Sequence, residues 1–332
     1  MTDWMRSRPK RDLILALTVA GVFALGTGAF MFGSFGPGGH HRASYVYETA
    51  SAGGVLYDQS FDVSPGALLV VKVSDFDVVI SSHSGRQAEV MLRVDEDEEY
   101  SGDALERMGF RVERTSEGIE ITTESRGRGN WDLDDLDGTL HVTVPTRFDV
   151  QVQTGDGDVA VESIEGSVML RTGDGDIALG GATGSEVMIQ TGDGDVAVGG
   201  TASRHIVIQT GDGDVALGRL DAEDVQVRTG DGDILIEDLS GSLRASTGDG
   251  DVMLHIDEFA GVQITTGDGD VTLYAPASLA ADISIIGEDL FLSDVFALPA
   301  QLEGRKFEGS LNGGGPELSV RVGDGSIRII ER

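Results

Sequence analysis

The pentapeptide Thr-Gly-Asp-Gly-Asp occurs seven times, starting at Thr154, Thr172, Thr191, Thr210, Thr229, Thr247 and Thr266, at a spacing of 18 or 19 residues. A globular core gives no reason for one turn sequence to return at constant spacing. A chain wound into stacked coils makes the same corner once per coil. After each corner comes a short alternating run such as Asp158-Val159-Ala160-Val161, and a second run leads to the next Thr. Two strands per coil follow from that pattern. One inward column holds Val159, Ile177, Val196, Val215, Ile234, Val252 and Val271, and a second holds Val161, Leu179, Val198, Leu217, Ile236, Leu254 and Leu273, because successive side chains of a strand point to opposite faces. The second strands repeat this from Val168/Leu170 to Val262/Ile264, and Ile164, Ala182, Ala202, Leu220, Leu239 and Phe259 are expected to plug the looser second corner.

The expected fold is therefore all-β, a β-solenoid of the single-stranded β-helix or β-roll type with coils of 18–19 residues. Thin coils leave little room for rings, and aromatic residues make up only 6% of the chain, against 48 glycines. Cysteine is absent, so no disulfide framework is available and each coil depends on its neighbours to bury its face.

Arg6, Arg8, Lys10 and Arg11 precede a stretch from Leu13 to Phe32 with no charged residue. Twenty helical residues at about 1.5 Å each cover roughly 30 Å, the thickness of a bilayer core. This reads as one N-terminal transmembrane helix, a signal anchor over 13–32 behind a cytoplasmic basic tail, 1–12. The chain is then single-pass in the cell membrane, with everything after Gly33 on the extracytoplasmic side. A cleaved signal peptide is the rival reading, although its apolar region is usually shorter, about 7–15 residues, and ends in a small-residue cleavage site. Residues 33–55 read as a flexible linker. The solenoid domain occupies 56–331, with regular repeats over 135–285 and C-terminal capping coils over 286–331.

Ahead of the perfect repeats, Leu68–Val73 and Phe76–Ile80 look like an opening coil with a degraded corner, Ser74-Asp75-Phe76-Asp77. Glu89–Val94 and a strand pair within Phe110–Thr123, turning at Ser116-Glu117-Gly118, follow, with a short helix near Asp103–Met108. Three segments carry a family resemblance: Val142-Thr143-Val144-Pro145 with Phe148–Thr154, the Gly-Asp-(Val/Ile) corners, and the final Gly309–Gly315, Leu318-Ser319-Val320 and Gly325–Ile329. Over about residues 60–331 the chain resembles the bacterial putative-adhesin domain family, a domain-of-unknown-function family of β-strand-repeat envelope proteins. The resemblance implies a β-solenoid at the cell envelope, with envelope-stress response among the family's associations, and it implies no catalytic residues.

Residues 34–332 hold 20 of the 24 basic groups and 55 of the 57 acidic ones, a net charge of about −35. Such a surface repels nucleic acid and anionic lipid heads, so no nucleic-acid partner is expected. Cations, cationic peptides or an envelope, cell-wall or protein partner remain open. Fourteen of the acidic residues stand in two columns. Asp156, Asp174, Asp193, Asp212, Asp231, Asp249 and Asp268 form the first, and Asp158, Asp176, Asp195, Asp214, Asp233, Asp251 and Asp270 the second. Coils about 4.8 Å apart bring like charges close enough to repel by roughly 0.9 kcal/mol in water. Calcium, which takes six to eight oxygens, would relieve this, and the calcium-binding β-rolls use a related motif, G-G-x-G-x-D-x-U-x. The match is incomplete, because only one corner per coil is acidic. The alternative is a structural corner, with Gly155 and Gly157 supplying positive φ and the Asp and Thr side chains hydrogen-bonding the turn.

An enzyme is not expected. Glycoside hydrolysis needs two carboxylates in different environments among sugar-binding rings, whereas these aspartates are translational copies and Trp4 and Trp131 are the only tryptophans. His141, His205 and His255 have no Ser or Cys nucleophile pattern beside them. No cofactor other than the possible calcium is implied. Finally, Ala160, Ala178, Ala197 and Ala216 on one outer face, and Met169, Met188 and Val207 on the other, are candidate contact stripes.

Overall fold

The computed structural model describes residues 22–25, 28–31, 54–74, 76–94, 104–123, 138–296 and 305–332, in two compact units, Met1–Ala52 and Gly53–Arg332. In the first unit β1 (Val22–Leu25) and β2 (Gly28–Met31) form an antiparallel hairpin. The helix expected over 13–32 is not seen in the residues described there, and no helix among the described residues is long and apolar enough to cross a membrane. Gly21, Gly26 and Gly28 weaken helix propensity in that run. The rest of 13–32, the basic tail and most of the linker lie outside the described residues.

The second unit opens with β3 (Gly54–Asp62), β4 (Leu68–Lys72), β5 (Asp77–His83) and β6 (Gln87–Val94), a single helical turn α1 (Ala104–Arg107), then β7 (Arg111–Arg114), β8 (Gly118–Thr122) and β9 (Gly138–Pro145). The repeats follow as β10 (Asp149–Gln153), β11 (Val159–Val161), β12 (Val168–Arg171), β13 (Ile177–Leu179), β14 (Thr183–Gln190), β15 (Val196–Val198) and β16 (Thr201–Gln209). Three long strands, β17 (Val215–Arg228), β18 (Ile234–Ser246) and β19 (Val252–Thr266), then pass the second corner without a break. The chain ends with β20 (Val271–Ala275), β21 (Ala281–Ile286), β22 (Asp289–Leu292), β23 (Lys306–Leu311), β24 (Glu317–Val322) and β25 (Ser326–Glu331).

Coil stacks on coil through parallel ladders in perfect register, Val150↔Val168↔Val187 on one face and Val159↔Ile177↔Val196 on the other. We call the strands that follow the Asp corner the leading face and those that end at Thr the trailing face. The inward columns are buried as expected, with Ile177, Leu179, Val187 and Ile189 all at 0% exposure. Each coil thus hides four aliphatic side chains, worth at most about 1.5–3 kcal/mol apiece. At the second corner the expectation is off in two coils, by one residue in the first and by three in the second. Thr201, not Ala202, is buried, and Ile256, not Phe259, takes the inward place against Leu239. The loosely patterned corner lets the chain slip without disturbing the strands.

Neither end of the stack follows chain order. β4 and β5 lie between the coil of β8 and β9 and the first regular coil, β10 and β11. At the other end β24 is inserted between β19 and β21, and β25 between β20 and β22. The outermost strands run antiparallel: β7 and β23 on the trailing face, β6 with β3 beyond it on the leading face. The last coil in sequence is therefore internal in space, and β21, β22 and β23 form that end. Asp238 bridges Arg219 (3.2 Å) and the C-terminal Arg332 (2.8 Å), pinning the inserted coil to the body.

Candidate functional site

The repeated corner is the one constellation that the chain rebuilds at every level. Each Thr is buried or nearly so, and its Oγ1 donates to the coil below. Thr172 reaches the Gly155 and Gly157 carbonyls at 3.0 and 2.8 Å, and Thr229 reaches Gly211 and Gly213 at 3.2 and 2.8 Å. The second Asp of each corner accepts the backbone N–H of its counterpart one coil further on. Asp158 Oδ1 receives Asp176 N–H at 2.8 Å, Asp195 Oδ1 receives Asp214 N–H at 2.8 Å, and Asp251 Oδ1 receives Asp270 N–H at 2.6 Å.

This inner column is longer than the seven pentapeptides show. Asp77 begins it by accepting Asp158 N–H at 2.9 Å, and Ser326 ends it by donating its N–H to Asp270 at 2.8 Å. Both ends were readable in principle. Ser74-Asp75-Phe76-Asp77 and Gly323-Asp324-Gly325-Ser326 are variants of the repeat, but only the out-of-order threading makes the second one the continuation of Asp270.

The corner glycines are needed for space, which corrects the expected reason. Gly155 and Gly157 are not among the residues with positive φ. A Cβ on Gly175 would collide with the Gly157 carbonyl, and a Cβ on Gly192 with the Gly173 carbonyl and the Asp174 carboxylate. The corner amides bond to the coil below as well: Gly173 N–H to Gly155 O, Gly192 N–H to Gly173 O. Backbones this close leave no room for a side chain.

Electrostatics separates the two columns. The first aspartates, Asp156, Asp174, Asp193, Asp212, Asp231, Asp249 and Asp268, are exposed. Within the second, burial pushes Asp158, Asp195 and Asp233 above the usual carboxylate range, against the opposing pull of the amide that each one accepts. Asp176 is pushed up to about 6, mainly by burial, with the charges of Asp158 and Asp195 adding to it and the Asp195 amide opposing. At Asp270 burial also pushes upward, but the hydrogen bonds from Ser326 and the Arg328 guanidinium (3.2 Å) more than offset it, so that carboxyl is held low.

Among the described residues no group of three or more His, Cys, Asp or Glu side chains is arranged to hold a metal ion. The histidines are scattered. Burial, and then the Arg93 charge, push the His141 imidazole below the usual histidine range, and His255 packs edge-on against Tyr274 with ring centroids 4.6 Å apart. The alanine stripe is not an exposed surface: Ala160, Ala178, Ala197 and Ala216 are 3–6% exposed. Met169, Met188 and Val207 are half-buried, and the first two line a shallow hollow of about 190 Å³.

Fold and corner together define a β-solenoid whose repeated polar residues are spent on holding one coil to the next. The family profile described as Toastrack DUF4097 matches residues 68–329, and the chain belongs to that family, the putative-adhesin domain family that its motifs resemble. Similar solved structures include a putative adhesin from Parabacteroides merdae (9% identity, 82% of this chain and 95% of that one, TM-score 0.48). A putative lipid binding protein from Parabacteroides distasonis (10%, 82% and 96%, TM-score 0.45) and a putative adhesin from Bacteroides fragilis (12%, 82% and 96%, TM-score 0.42) are others. No curated protein matches the chain.

Proposed function

We propose that this is a non-catalytic, membrane-anchored protein of the cell envelope, whose solenoid serves as a rigid module for adhesion, interaction or envelope-stress response. The observation that carries the reading is the hydrogen bonding of the corner. Two of the residues invariant in all seven corners, Thr and the second Asp, bond to the backbone of the adjacent coil, which is a framework role. Anchoring rests on the uncharged run from Leu13 to Phe32 behind its basic flank. The test is topological and phenotypic: the solenoid of intact cells should be open to added protease and stay with the membrane fraction, and its deletion should reduce surface binding or the response to envelope damage. A hydrolytic turnover abolished by one substitution would refute the reading.

A calcium-dependent binding or sensing protein is the second reading, favoured by the exposed first column of aspartates at one-coil spacing. A thermal melt distinguishes the two. Calcium raising the melting temperature well above that in magnesium or chelator supports the ion; equal melts in all three leave the corner as framework alone.

A further inference from the structure

The trailing face carries its charge in rows. Coil-to-coil register places Asp149, Glu186, Asp224, Glu317 and Asp282 in the outward row next to the second corner, with no Lys or Arg among them. Four residues further along each strand, Lys72, Arg171, Arg228 and Arg321 share the row next to the Thr corner with Gln153, Gln190 and Gln209, and no carboxylate stands there. Between the two runs a less polar row, with Val70, Met169, Met188 and Val207 half-buried and the hollow at Met169 and Met188. Arg171, Arg228, Arg321, Glu186 and Glu317 are exposed, so this face is open.

We propose that the trailing face pairs with the same face of a second copy of this chain, about a two-fold axis parallel to the stack. The argument is charge complementarity. Rotation about that axis exchanges the two rows, so Arg228 faces the second copy's Asp224 and Arg321 its Glu317. Gln190 and Gln153 face the carboxylates of Glu186 and Asp149, and Met169 meets its own counterpart. A two-fold axis across the stack instead lays acid on acid and base on base, so the rows select parallel over antiparallel copies. Arg244 also meets its counterpart, and Asp224, 2.8 Å from it in its own chain, is shared between Arg244 and the second copy's Arg228. Ten strand levels about 4.8 Å apart and four residue steps make a face roughly 43 by 13 Å. Two copies therefore hide on the order of 1,100 Å², at the lower edge of specific interfaces, which predicts a reversible, salt-sensitive dimer.

The chain has no cysteine, so single thiols can report the geometry in the full-length protein in mild detergent. Met169→Cys and, separately, Met188→Cys should form an oxidised dimer at least about fivefold more than Thr272→Cys on the leading face. Arg321→Glu, placed in the Met169→Cys chain, should cut the cross-linked fraction several-fold, and adding Glu317→Arg should restore it, with circular dichroism unchanged throughout. Cross-linking of both Met-face thiols no better than Thr272→Cys overturns the proposal. So does a charge-swapped double variant as poor as the single one.

Discussion

Asp195 has two separable roles, as acceptor for the Asp214 amide and as one charge in a column of like charges. Asp195→Asn keeps the acceptor and removes the charge, so its thermal melt should be unchanged or higher. Asp195→Ala strands the amide at a packed corner and should cost about 1–3 kcal/mol in chemical denaturation. Glycine is dissected in the same way. Gly194→Ala would drive a methyl group into the Gly175 carbonyl of the coil below, whereas the Cβ of Gly200→Ala meets nothing within 4 Å. The first should unfold the protein or lower its melting temperature by many degrees, and the second should leave it within about 0.5 kcal/mol of the parent.

At the scale of the column, the inner carboxyls give stability a pH dependence with a definite sign. Asp176 is raised to about 6, so the folded state binds protons that the unfolded chain has released. The stability this confers is complete below the ordinary aspartate value and is lost as pH rises through about 6. Because these groups are only half-buried, the effect is discounted for screening to about 1 kcal/mol. The melting temperature should be higher at pH 5 than at pH 7.5 by a few degrees, roughly 2–4 °C. A melt that is lower at pH 5 would contradict this assignment of the column.

A coil is also an element that can be removed. Deleting residues 191–209 joins Gln190 to Thr210 and restores every column, so a folded, cooperatively melting protein is expected. Deleting residues 317–332 takes out strands bonded on both sides and breaks the Arg332–Asp238 and Arg328–Asp270 ion pairs. It should lower the melting temperature more than the internal deletion does. Equal losses would mean that β21 and β22 reseat directly on β19 and β20.

For the whole molecule the dominant quantity is a formal net charge of −33. Self-repulsion of that size opposes compactness and is screened by salt. Raising sodium chloride from low to physiological ionic strength should therefore raise the melting temperature.

The solenoid, its coil length, the inward columns from Val159 to Leu273 and the corner as the repeated polar site are all legible in the amino-acid sequence, because a translational repeat writes each contact once per coil. The opening coil with its altered corner is legible for the same reason. What the tertiary structure decided lies where translation fails. The corner glycines answer to the backbone of the coil below, a neighbour 18 or 19 residues away, and local turn preferences do not show it. The slip from Ala202 to Thr201 depends on which side chain fills a gap between coils. The insertion of β24 and β25 between earlier strands, which completes the aspartate column at Ser326, is a choice among equivalent edges that local pattern leaves open and that packing and long-range strand pairing resolve.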